Sequence, residues 1–283
     1  MKKYIYTLVL LLSFSSILAE ERDMAKLKAQ YVAWKSYDNK KHDNPRKREY
    51  KYILQIGDGL SYYYDPQTYY VDSLNNDPAG CAIRDKVMGD AFRQARDTGE
   101  DPFKLMREKG LMADSRYKCR KNFSTNLITV WDSNGDIYQY EVDMNDLSWE
   151  LCDSTTTILD YECHLATADY HGRRWTAWFA PEIPVQDGPW QLCGLPGLIM
   201  KAQTDGGEYG FEITGLQKCS EPFKPTLINP DKLFKTKRIS FLKMRDYSRR
   251  NRSAQIAAMT NGKVIVNADY KGTIDFLETD YHE

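Results

Sequence analysis

Excess charge of either sign is missing from this 283-residue sequence: 39 Lys and Arg face 40 Asp and Glu, for a net charge of -1. A chain so balanced has no overall field with which to hold nucleic acid. Long apolar runs are also missing beyond a single N-terminal one, and the mean hydropathy is -0.63, which argues against a polytopic membrane protein built of helices. Histidine is rare, with four in all. No HExxH, CxxC, GxSxG or phosphate-binding loop occurs. Gly57-Asp58-Gly59 lacks the third glycine of a dinucleotide fingerprint and reads as a turn. Nothing in these patterns implies a cofactor. Glu162 and His164 share a strand face by period two, with His171 at the adjoining turn. Without a well-placed further ligand the trio reads as sheet surface rather than a metal site. No internal repeat or low-complexity stretch appears.

What is present begins with an address. Lys2 and Lys3 precede a mostly apolar run from Tyr4 to Leu18, and Ala19 stands before Glu20-Glu21-Arg22-Asp23. Residues 1–19 therefore read as a secretory signal peptide. The run is short for an uncleaved anchor, so no transmembrane segment is expected after cleavage. Residues 20–283 then form a single β-rich domain with a periplasmic or secreted location. All six cysteines (Cys81, Cys119, Cys152, Cys163, Cys193 and Cys219) lie there, and export with an even count suggests disulfides. The local pairs proposed are Cys81–Cys119, Cys152–Cys163 and Cys193–Cys219.

Twenty Tyr, ten Phe and six Trp favour strands. Strands are expected at 50–56, 60–64, 115–122, 126–132, 136–143, 147–152, 157–168, 173–180, 198–203 and 208–216. Residues 26–37 fit both a rough alternation and a helical period. Ser133-Asn134-Gly135-Asp136, Tyr170-His171-Gly172-Arg173 and Thr204-Asp205-Gly206-Gly207 are hairpin signals, the first as a type I′ turn. Residues 66–113 read as a helical insertion, with helices over 82–96 and 102–109. In the C-terminal segment 221–283, Ser240 is expected to cap a helix over 240–259. Lys232 to Arg252 carries nine basic residues and one acidic; it reads as a solvated helix face, with an anion or membrane-surface patch as the alternative. The expected fold is mainly β: a curved antiparallel sheet or half-open barrel with a helical insertion and a C-terminal helix.

The segment Trp175–Pro184 leads through Gly188-Pro189-Trp190 to Gly194-Leu195-Pro196-Gly197-Leu198-Ile199. With Trp149, Leu159–Cys163, Ala166, Leu54–Gly57 and Leu60-Ser61, it resembles the GLPGLI family of exported Bacteroidota proteins. The resemblance spans residues 26–219 and is strongest over 149–216. It implies an envelope protein without established activity, found beside TonB-dependent outer-membrane proteins, and it carries over no catalytic residue. In the hexapeptide, Pro196 fixes φ and Gly197 suits the positive φ of a type II turn, while Gly194 permits close backbone approach. The corner reads as buried; alternatively Trp178, Phe179, Trp190, Gly194, Leu195, Pro196 and Gly197 rim a binding surface. The functional expectation is a non-enzymatic periplasmic binding or accessory protein working with an outer-membrane transport system. Its partner would be a TonB-dependent protein or an apolar or peptide-like ligand. An envelope hydrolase or transferase is the alternative.

Overall fold

The structure, a computed structural model, describes residues 24–37, 46–113, 115–251 and 277–282. The expected signal peptide at 1–19 lies outside the described residues, as do the later part of the expected helix 240–259 and residues 252–276. No described helix is long and apolar enough to cross a membrane.

Among the described residues, twelve strands form one open sheet. They are β1 (Met24–Tyr37), β2 (Arg46–Ile56), β3 (Leu60–Tyr64), β4 (Lys118–Asn122), β5 (Leu127–Asn134), β6 (Asp136–Asp143), β7 (Glu150–Ile158), β8 (Tyr161–Tyr170), β9 (Arg173–Ala180), β10 (Leu198–Thr204), β11 (Tyr209–Pro222) and β12 (Leu233–Lys235). The order across the sheet is β12-β6-β5-β4-β3-β2-β1-β11-β10-β9-β8-β7. Two antiparallel meanders, β1–β6 and β7–β11, are thus joined by the long β1–β11 pair. The fold is mainly β as expected, except that β12 pairs parallel with β6, which makes the sheet mixed. Residues 26–37 are strand. Within this strand Ala29, Tyr31 and Ala33 alternate onto the main core; the pairing with β2 is unbroken, and the register shifts against β11 at Ala25/Leu27 and Gln30/Tyr31 leave their extra residues on β11.

Both faces of the first meander are packed. Tyr31, Tyr52, Tyr63, Ile128, Val130 and Tyr140 turn to the main core. Tyr62, Tyr64 and Trp131, on the alternate positions, form a second cluster. The hairpin between β7 and β8 turns at Leu159-Asp160, with φ of 49° and 66°, rather than over residues 153–156. A leucine at positive φ carries no turn signal in sequence. The His171-Gly172 hairpin has positive φ at both positions, whereas in the Asn134-Gly135 turn only Gly135 does, at 86°, so that turn is not type I′.

The insertion is helical from Pro66 to Glu108: α1 (Pro66–Asn75), α2 (Pro78–Thr98) and α3 (Pro102–Glu108). Each helix starts at an Asp-Pro pair. The Asp65, Asp77 and Asp101 carboxylates accept backbone N–H groups of the first turn, and the proline loses nothing at N1. Lys118 of β4 holds Asp72 of α1 at 3.1 Å. Gly80 and Ala91 are the buried residues of α2, which leaves most of that helix on the surface. The C-terminal helix α4 covers Arg238–Arg250 and has no side-chain cap, so Ser240 lies inside it rather than capping it. Phe241 and Leu242 are its buried residues, and Phe241 lies 5.5 Å from Tyr140. The basic stretch is partly neutralised within the chain: Arg245 meets Asp132, Arg238 meets Glu278 and Asp280, and Arg250 meets Asp246.

The proposed disulfides are not formed; all six cysteines are free. Cys152 faces Leu165 and Cys163 faces Thr156, so the register offsets this pair along the strands. The β10–β11 ladder begins at Lys201, and Cys193 sits in a loop away from Cys219, whose stretch of β11 pairs with β1 instead. Cys119 points at the Trp190 carbonyl, 3.2 Å away, while the Cys81 thiol meets the Asn75 carbonyl on the insertion. Burial pushes the Cys119 thiol up to about 12 and Cys193 up to about 11. Iodoacetamide on the native protein is therefore expected to label Cys81, Cys152 and Cys219 first, and Cys119, Cys163 and Cys193 only on unfolding. Mass spectrometry counts the two classes, and fast labelling of Cys119 would contradict this packing.

Candidate functional site

The loop from Pro181 to Gly197, between β9 and β10, is organised by a buried ion pair. Lys121 of β4 and Asp187 both have side chains with 0% exposure, and Lys121 Nζ lies 2.6 Å from Asp187 Oδ1. The ammonium also donates to the Gly188 carbonyl at 2.6 Å and the Leu192 carbonyl at 3.0 Å. All three of its donors are thereby used. Burial would lower the Lys121 pKa, but Asp187 and the nearby Cys119 and Cys193 outweigh it and raise the value above the usual lysine range. Asp187 Oδ1 accepts the Gly188 N–H as well.

This knot fixes Trp190. Its φ is +55°, a conformation bulky side chains rarely adopt and one retained where surroundings enforce it. The indole stacks on Trp175 at 5.5 Å and on Phe211 at 6.3 Å. Its edge meets Tyr170 and His171. His171 Nε2 in turn lies 2.9 Å from Gln191 Oε1, and its Nδ1 faces Asp280. Asp280 is also held by Arg238. Its carboxyl is lowered despite burial, through the His171 and Arg238 hydrogen bonds. The strap 277–282 is pinned onto the β8–β9 turn by the Thr279 N–H bond to the His171 carbonyl at 3.0 Å and by Arg173 Nε on the Leu277 carbonyl at 2.9 Å.

Between Trp190, the strap and the first meander lies a cavity of about 330 Å³. Its inner wall is aromatic: Trp34, Tyr52, Tyr63, Trp190 and Phe211, all buried. Tyr52 and Tyr63 stack at 4.5 Å, and Tyr117 meets Tyr63 edge-on. The Tyr63 hydroxyl is buried and has no hydrogen-bond partner. Desolvation raises the Tyr63 and Tyr117 phenols well above their ordinary value, so both stay neutral. The outer wall is charged, with Lys35, Arg116, Asp132, Arg245, Arg249 and Glu278. Asp132 lies 2.7 Å from Arg245, and Glu278 lies 2.8 Å from Arg238. The Asp132 carboxyl is raised by burial, and Arg245 only partly offsets that.

The residues singled out in sequence are mostly packed into the corner. Phe179, Leu195 and Gly197 are buried, Trp178 is half-buried, and Gly194 and Pro196 are exposed. Of the seven, only Trp190 lines the cavity. The two glycines exchange their expected roles. Gly194 takes the positive φ, +90°, in open space. Gly197 is the close approach: a Cβ there would lie 2.3 Å from the Ala180 carbonyl oxygen. His164 lies 3.4 Å from Glu162, but His171 is engaged elsewhere, so that trio is not assembled. The cavity tyrosines and Arg245 were missed in sequence because they come from separate elements, β2, β3 and, far along the chain, α4.

The segment that carries Trp190 is also where comparison finds a match. A family described as "Protein of unknown function (Porph_ging)" is similar to this chain over residues 170–201, from the β8–β9 turn into β10. The match is compatible with a Bacteroidota family. No curated protein matches the chain. Among solved structures, "Structure of PNGF-II in P21 space group" is similar, with a TM-score of 0.50, 12% identity, and coverage of 80% of this chain and 34% of that one. "Structure of PNGF-II in C2 space group" has a TM-score of 0.49 at 12% identity over 80% of this chain and 33% of that one. The chain thus spans about a third of the length of these structures, and at such identity the likeness concerns the fold alone.

Proposed function

We propose that this is an exported envelope protein of the GLPGLI type, working in the periplasm as a non-enzymatic binding or accessory protein. Its cargo is a small ligand held in the cavity behind Trp190, and its working partner is an outer-membrane transport protein. One observation carries this reading: the matched segment drives a strained tryptophan into the wall of the cavity. About 330 Å³ lies at the lower end of the range for small-molecule sites. The two carboxylates lining it, Asp132 and Glu278, are each taken up by an arginine, which favours holding over proton transfer. The N-terminal sequence and the family resemblance support export and the envelope setting.

Native mass spectrometry of the protein isolated without detergent from its own cells tests this. The expected result is a small extra mass that leaves on denaturation. A second protein retained instead would favour the accessory role alone, and a bare chain would count against a carried ligand.

A further inference from the structure

We propose that the sheet edge formed by β12 and the outer face of α4 is a docking surface for a bilayer of anionic phospholipid. This goes beyond the cavity and its ligand and depends on neither. The first observation is how the basic stretch divides by residue type. Three of its arginines are turned to the protein: Arg238 holds Glu278 and Asp280, Arg245 holds Asp132, and Arg250 holds Asp246. The lysines are not. Lys232, Lys235, Lys237 and Lys243 are all exposed, and none has an acidic partner within 4 Å among the described residues. The acids nearby offset only part of this charge. Asp246 is taken up by Arg250. Glu141 alternates with the buried Tyr140 and so lies on the sheet face away from α4. Asp231 and Asp136 are exposed and stand beside Lys232. Four lysines against two acids leave a surplus of two positive charges.

The topology brings these lysines to one edge. Leu233, Phe234 and Lys235 pair with Ile137, Tyr138 and Gln139 of β6. The chain turns at Lys237, and Phe241 packs back onto Tyr138 and Tyr140. Further on, Arg245 reaches Asp132, and the Asn134 amide donates to the Ser248 hydroxyl. α4 therefore runs back beside the rows that β12 has just followed. Phe241, Leu242 and Arg245 face the sheet; the opposite side of the helix carries Ser240, Lys243, Tyr247 and Arg250, all exposed. Two aromatic rings stand among the lysines: Phe234 is 48% and Tyr247 66% exposed. An acidic protein partner calls for the rigid, forked donors that arginine supplies, and three arginines here point the other way. Lysine is a compact, hydrated charge on a flexible stem, which suits the diffuse negative potential of a lipid surface. Aromatic rings at head-group level add apolar burial, and tyrosine suits that level for its polar end.

The test is sedimentation of the full mature protein with vesicles of phosphatidylcholine alone and of phosphatidylcholine with one-third phosphatidylglycerol. Each net charge near an anionic surface contributes about fivefold in affinity, so a surplus of two gives a preference of about thirtyfold for the anionic vesicles. Raising the salt from about 0.1 to 1 M, which shortens the screening length from about 10 to 3 Å, should remove most of it. The variant Lys232→Gln/Lys235→Gln/Lys237→Gln/Lys243→Gln should bind both vesicles nearly alike. Its control, Lys51→Gln/Lys86→Gln/Lys109→Gln/Lys218→Gln, removes four exposed lysines elsewhere and should keep the preference. Phe234→Ala/Tyr247→Ala, with its melting curve as the check on folding, should weaken binding several-fold and leave the salt dependence in place. Equal binding of both vesicles by the wild type would overturn the proposal, as would a patch variant that keeps its preference. A control that loses as much as the patch variant would also overturn it, by showing that overall charge and not this edge is responsible.

Discussion

Replacing Lys121 by Met is expected to be among the most destabilising single changes in this protein. The substitution keeps length and apolar volume but removes the only cation among the described residues bonded to Asp187, whose side chain is fully buried. It also leaves the Gly188 and Leu192 carbonyls without the donor they now share. Breaking a buried pair from one side costs about 3–5 kcal/mol. For a chain of this size that corresponds to a fall in melting temperature of roughly 6–20 °C. The companion variant Lys121→Met/Asp187→Leu removes both charges together. It should recover most of the loss, because the penalty lies in the stranded carboxylate rather than in the missing attraction. Thermal melts of wild type, both single variants and the double variant make the cycle. Additive losses would show that Lys121 acts only as filler.

The second large effect is expected at Gly197. An alanine Cβ there would lie 2.3 Å from Ala180 O, 2.6 Å from Ala180 C and 2.9 Å from Pro181 Cα. Every one of these atoms is backbone, so no side chain can swing aside, and the first rung of the β9–β10 ladder, Leu198 with Ala180, has to open. Overpacking of this kind costs about 3 kcal/mol or more. Gly194→Ala, three residues earlier, meets nothing within 4 Å and suffers only its φ of +90°, at about 1–2 kcal/mol. Urea midpoints should therefore rank Gly197→Ala well below Gly194→Ala. The opposite order would mean that the corner is held by its turn and not by its contact.

That pair of glycines also shows where sequence reasoning reaches its limit. Composition and turn spacing were enough to read a β-rich sheet, most of its strands, the insertion and a C-terminal helix. They identified Gly-Leu-Pro-Gly as a tight corner but could not assign the roles of its glycines, since close approach depends on β9, fourteen residues upstream of Gly194 at Ala180. The three Asp-Pro pairs of the insertion were legible in principle. Asp65-Pro66 reads equally as a strand end and as a helix start, and only the helix that follows decides. The Leu159-Asp160 turn was not legible, because neither residue advertises positive φ as glycine does. The cavity was the least legible part. Tyr52, Tyr63, Asp132, Trp190 and Arg245 lie on five separate elements, and no local spacing announces that a sheet brings them to one wall. The disulfides were inferred from compartment and parity, whereas pairing is decided by register.

The place of β1 in the sheet has a consequence for how the chain acquires its shape. This first strand is central, and its C-terminal partner, β11, begins at Tyr209. The chain is made, and would enter the proposed compartment, from its N-terminus, so β1 is delivered well before β11. Throughout that interval the first meander presents a fourteen-residue open border, a template to which any extended chain can add. Closure then joins residues nearly two hundred positions apart, as in Met24 with Pro222. Contacts of such sequence separation form slowly. The two meanders therefore behave kinetically as halves awaiting each other, and the late arrival of β11 sets the pace at which the whole molecule becomes protected.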